Sequence, residues 1–175
     1  MQPLARSLAW GLGGGVVAAL VMVIPELTAA PGGGRLPEYG GLAAGLIAVH
    51  LGTRAAARVD SPFGARLRNA ALLAASVSLL VGLSLYSLFA VLRPGLLATR
   101  LAAYEHSVAA SHAPPERIAR ELARLVTSRA EYLDAGYQAL SSASTLFFFG
   151  MLLGGYGAWR VHLARRLRRG GPVQR

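Results

Sequence analysis

Two carboxylates and one imidazole sit within, or at the ends of, long apolar runs: Glu26, Glu38 and His50. Ionisable groups in such places are expensive and are candidates for function. Glu26 follows Pro25 near the end of the first run, and Glu38 opens the second. If the two runs meet in a turn, both carboxylates lie on the same side, where a pair can bind a cation or relay protons. The competing reading is electrostatic: Glu38 favours a helix N-terminus, and Glu26 pairs with Arg35. His50 precedes Arg54 by one turn, and the favoured expectation is a neutral imidazole bonded to a neighbouring helix, a Ser of the third run being one candidate partner. A lone His makes no metal site. Ser141, Ser142, Ser144 and Thr145 cluster beside Tyr137 and Gln138 without a nucleophile-elbow pattern. A phosphate-binding glycine loop and a His-Glu-x-x-His pair are both missing. The chain has no Cys, which removes disulfides, thiolate catalysis and thiolate metal sites. No catalytic, cofactor-binding or metal-ligating set is therefore expected, and the chain reads as a non-enzyme.

The elements that position these groups follow from composition. Hydrophobic residues make up 54% and charged residues 15%, against about 25% charged in a soluble domain. The charges leave long windows empty, as membrane spans do. A single membrane domain over 1–175 is expected, with spans near 8–29, 38–58, 68–92 and 136–161. The first run exceeds the 7–15 residues of a signal-peptide core, so it is read as a retained span, followed by a Gly-rich turn over Pro31 to Leu36. In the second, Pro37 suits the first helical position, and the helix extends through Arg58 because Arg stems reach the interface. Asp60 or Ser61 is expected to cap the third helix, with Pro62 at its first position. Pro94-Gly95 should kink or end that span.

The stretch 96–134 differs in kind. From Glu116, the apolar residues Ile118, Leu122, Leu125, Val126, Tyr132 and Leu133 recur at helical spacing. Arg117, Arg120, Glu121, Arg124 and Arg129 form a polar face, on which Glu116 can pair with Arg120 and Glu121 with Arg124. This amphipathic segment belongs outside the hydrocarbon. Net charge is +10 and every strong base is Arg. The basic residues flank the apolar runs, as lipid headgroups and the positive-inside rule require, so nucleic acid is not the expected partner. Arg54, Arg58, Arg66 and Arg68 in the second loop and the tail 162–175 place both termini in the cytoplasm. Arg160, Arg165, Arg166, Arg168 and Arg169 are expected to meet anionic headgroups.

Small residues recur four apart as Gly11 and Gly15, Gly41 and Gly45, Ser78 and Gly82, and Gly150 and Gly154. Such pairs let helix backbones approach in lipid. Packing within the chain is favoured over a homo-oligomer seam, since every span carries a pair.

The order of features resembles the bacterial membrane family named domain of unknown function 4199. The resemblance is carried by Gly41-Leu-Ala-Ala-Gly45 through Gly52-Thr53-Arg54, by Phe63, by Tyr86 ending the third span, and by Tyr104. Phe147-Phe148-Phe149-Gly150 before the closing Arg cluster completes it. It implies architecture and a bacterial cytoplasmic membrane location. The expected fold is thus all-α: a polytopic membrane protein with four transmembrane helices and an extracytoplasmic amphipathic helical segment between spans three and four. The expected role is structural or accessory, through anionic lipid, a second copy or a membrane protein partner. The alternative is a small oligomeric transporter or channel for a cation or proton.

Overall fold

The computed structural model describes residues 3–28, 36–56 and 62–169, which are helical almost throughout and contain no strand. Four long helices are α1 (Pro3–Thr28), α2 (Leu36–Ala56), α3 (Phe63–Ser87) and α7 (Ala135–Arg169). Between α3 and α7 lie α4 (Leu96–Ala109), α5 (Pro115–Thr127) and the short α6 (Arg129–Leu133). Three stretches are long and apolar enough to cross a membrane: Ser7–Thr28, Phe63–Leu92 and Ala135–Ala164. Their outward residues, among them Val16, Leu79, Leu83, Phe148 and Leu152, are large, apolar and exposed, which is the inverse of a soluble bundle. At 1.5 Å per residue α2 is about 31 Å long, and it carries Glu38, His50 and Arg54 along its length.

Glycine contacts give the helix directions. A Cβ at Gly14 would overlap that of Ala48, and one at Gly41 would overlap Met22, so α1 and α2 run antiparallel. Gly11 meets Leu73 and Ser76 while Gly15 meets Val77 and Leu80, so α1 and α3 run parallel. Gly150 faces Ala74 and Gly154 faces Ala70, which sets α7 antiparallel to α3. Gly45 against Leu146 and Gly157 against Thr53 set it parallel to α2. The result is an up-and-down arrangement in which α1 and α7 flank a central α2–α3 contact. Val49, Ala74, Val77, Val81 and Leu146 fill the middle, and Ala18 and Met22 of α1 belong to the same core. All eight small residues of the four spaced pairs therefore face neighbours within the chain or are buried in its interior.

Helix ends follow local chemistry, with several departures from expectation. The third helix begins at Phe63, earlier than 68, with Pro62 as an extended N-cap (φ −63°, ψ 158°) and no side-chain cap. Pro62 thus precedes the helix instead of opening it, while Asp60 and Ser61 lie outside the described residues, as do Arg35 and Arg58. Pro37 is the second helical residue, not the first. The third helix ends through a π turn at Leu88–Leu92. Proline disfavours the α conformation in the residue before it, and Arg93 adopts φ −141°, ψ 69°. The Arg93 N–H then closes a wide turn on the Leu88 carbonyl at 2.7 Å. The helix predicted from Glu116 to Asp134 breaks at Ser128. There the Thr127 and Ser128 hydroxyls donate back to the Ala123 and Arg124 carbonyls, a bond that competes with regular helix. Asp134 caps α7, its Oδ1 accepting the Tyr137 N–H at 2.8 Å. Residues 162–169, expected in a basic tail, continue α7. The helix is about 52 Å long, well beyond a hydrocarbon core of about 30 Å.

Candidate functional site

The polar groups gather at the two ends of the bundle. At the end where α1 and α3 finish, the Glu26 carboxylate is buried and pairs with the guanidinium of Arg100 on α4. The Arg100 Cζ lies 5.6 Å from the centroid of the Phe89 ring, within cation–π range. Arg93 donates to the Leu27 carbonyl at 3.0 Å, placing a cation on the C-terminal turn of α1 where the helix dipole favours it. Thr28 uses its hydroxyl on the Ile24 carbonyl at 3.0 Å. Leu96, Leu97 and Leu101 of α4 are buried. Arg100 lies between Leu97 and Leu101, so it shares the face of α4 that meets the bundle. Glu26 is held by the charged segment, while Arg35, its expected partner, lies outside the described residues. That flanking pattern of Leu was the sequence signal for it.

Glu38 lies on the first turn of α2, and its side chain is outside the described residues, as are those of Arg165, Arg166, Arg168 and Arg169. Arg160 is exposed near the far end of α7, its Cζ 6.0 Å from the Tyr156 ring. His50 is half-buried. The candidate bond from His50 to a Ser of α3 does not form, because Val49, not His50, faces the interior. Ser78 is buried and its hydroxyl has no hydrogen-bond partner.

At the opposite end, Ser7, Thr53, Arg66 and Asn69 are all buried. Arg66 is 4% exposed, although the sequence placed it in the second loop. The early start of α3 at Phe63 carries it into the bundle. Thr53 donates to the Val49 carbonyl at 2.7 Å. The Phe63 and His162 rings meet tilted at 54° with centroids 5.5 Å apart, joining α3 to α7 at this end.

The charged segment folds back on itself. Arg129 bonds Glu105 across α6 and α4 at 3.1 Å, and the Tyr104 hydroxyl donates to Glu121 at 3.3 Å. The expected pairs Glu116–Arg120 and Glu121–Arg124 are not made. Arg120 uses the Glu116 backbone carbonyl, and Tyr104 on α4 takes Glu121 because α5 returns alongside α4. Exposed pairs along one helix are worth about 0.2–0.5 kcal/mol, too little to resist such competition. Of the predicted stripe, Leu125 is 3% exposed and Ile118, Leu122 and Tyr132 are half-buried. Val126 at 68% and Leu133 at 40% turn outward. Leu125 thus anchors α5. Leu125→Asp removes roughly 1.5–3 kcal/mol of burial, and amide exchange across α5 should accelerate while α1–α3 stay protected. Unchanged exchange in α5 would show that Leu125 does not hold it.

Among the described residues no group of three metal-ligating side chains assembles. The buried carboxylate is closed by the Arg100 guanidinium, which ties α4 to the end of α1. No family model, curated protein or solved structure matches the chain.

Proposed function

We propose that the chain is a non-enzymatic, four-span component of a bacterial cytoplasmic membrane, with both termini in the cytoplasm and α4–α6 on the outer face. The Glu26–Arg100 pair carries this reading. It neutralises the carboxylate that a cation pathway would need, and it fastens α4 to the end of α1. The fourth span is α2, whose support is its length and its place antiparallel to α1 and parallel to α7. The resemblance to the domain of unknown function 4199 family implies the same location. The basic end of α7 meets anionic headgroups, and the role is structural or accessory, through lipid and protein partners.

The test is ion flux. Proteoliposomes holding the wild-type chain or Glu26→Gln should show no proton or cation flux above protein-free vesicles. A robust flux that disappears in a folded Glu26→Gln variant would overturn the proposal and establish a small oligomeric transporter in its place.

A further inference from the structure

A groove of about 690 Å³ runs between α1 and α2 on the outer surface of the bundle. Its floor is made of small residues, including Gly13 and Ala44, and its walls are Trp10, Val17, Ile47 and Leu51. Close approach of Gly14 to Ala48 draws the two backbones together. Gly13, one residue further around α1, is then left with nothing within 4 Å of a Cβ placed on it. The walls are large, apolar and about half exposed.

Two features say what fills it. The first is extent. From Ala9 to Val17 the groove covers about 12 Å of helix, close to the ~15 Å of one leaflet's hydrocarbon. Beyond it the α1–α2 seam closes, since Val21 packs where a Cβ on Gly40 would lie 3.4 Å away. A second transmembrane helix needs a seam running the length of the span, whereas a single acyl chain needs one leaflet. The second feature is charge. Arg54 follows Leu51 by one turn of α2, is exposed and has no acidic partner among the described residues. Trp10, the amphipathic aromatic suited to the interface, lies toward that end on α1. We infer that this groove binds one acyl chain of an anionic glycerophospholipid, with the phosphate at Arg54. The inference rests on the membrane reading given above.

The chain has two Trp, so Trp159→Phe leaves Trp10 as the reporter. The full chain in non-ionic detergent is titrated with phosphatidylglycerol or phosphatidylcholine brominated on the acyl chain, and Trp10 fluorescence is followed. Saturable quenching is expected, with half-saturation about fivefold lower for phosphatidylglycerol, the effect of one Arg near an anionic group. Arg54→Gln should equalise the two lipids. Gly13→Leu puts a side chain into the groove from a position whose Cβ has nothing within 4 Å, and should abolish saturation while leaving helicity and thermal midpoint unchanged. Quenching that is linear and equal for both lipids, and unaltered by Gly13→Leu, would overturn the site while leaving the membrane reading intact. An absence of quenching by either lipid would overturn both. A wild-type dimer in lipid-free detergent that Gly13→Leu converts to monomer would assign the groove to a second copy and refute the lipid proposal.

Discussion

Arg100→Leu should destabilise the folded chain by about 3 kcal/mol, the scale of removing one partner from a buried ion pair. The Glu26 side chain is 7% exposed and that of Arg100 19%, so loss of the guanidinium strands a carboxylate with little access to water. The slight exposure of Arg100 sets the expectation at the lower end of the range. Adding Glu26→Leu to Arg100→Leu removes the stranded charge and should restore more than half of the loss. That recovery separates an ion pair from simple packing of the Arg stem on Phe89, for which the two changes would add. Denaturant titration in mixed micelles reads both numbers. A loss below about 0.5 kcal/mol, the scale of an ordinary surface change, would show that α4 is not fastened through this pair.

Gly154→Leu should be as damaging by a different route. A Cβ at Gly154 would lie 2.8 Å from the Ala70 Cβ and 3.4 Å from the Thr53 hydroxyl, with the Ala70 Cα at 3.7 Å. Neither neighbour has a flexible end that can yield, so α7 must move away from α3. Overpacking typically costs about 1–3 kcal/mol, and a branched side chain against two backbones belongs at the top of that range. Gly155→Leu is the control on the same helix. There the nearest atom is the Leu67 Cδ1 at 3.8 Å, and the gain in helix propensity of up to about 1 kcal/mol should leave stability level or higher. Equal losses at both positions would mean that backbone approach does not govern the α3–α7 contact.

Much of the helical layout can be read from residue patterns because bilayer-length apolar runs and proline breaks are local signals. Pro94 fixes Arg93 and so the end of the third long helix, whatever surrounds it. The spaced small residues likewise announce close helix contacts, though their partners emerge from the folded bundle. Two further glycines with the same role, Gly14 against Ala48 and Gly52 against Leu73 and Trp10, fall outside the Gly and Ser pattern because the residue four further on is Ala. Arg66 precedes the uninterrupted apolar run that marks the third span in the sequence, so that run leaves it in the connection, whereas the helix from Phe63 carries it into the interior. The ion-pair partners were hidden for another reason. Glu26 and Arg100 are 74 residues apart, and only the fold of α4 onto the bundle end brings them together. The cap at Asp134 was local and legible, an Asp immediately before a helical run, but it was assigned to the tail of the preceding segment instead.

The central claim is that the chain crosses the membrane four times with α4–α6 outside, and accessibility labelling tests it most directly. The absence of Cys permits single Cys variants at Ser61 and Ser111, each treated in intact cells with a membrane-impermeant maleimide. The account predicts labelling at Ser111, and at Ser61 labelling only after the cells are permeabilised. Labelling of Ser61 in intact cells would contradict it: together with labelled Ser111 it removes a span, and with shielded Ser111 it inverts the chain.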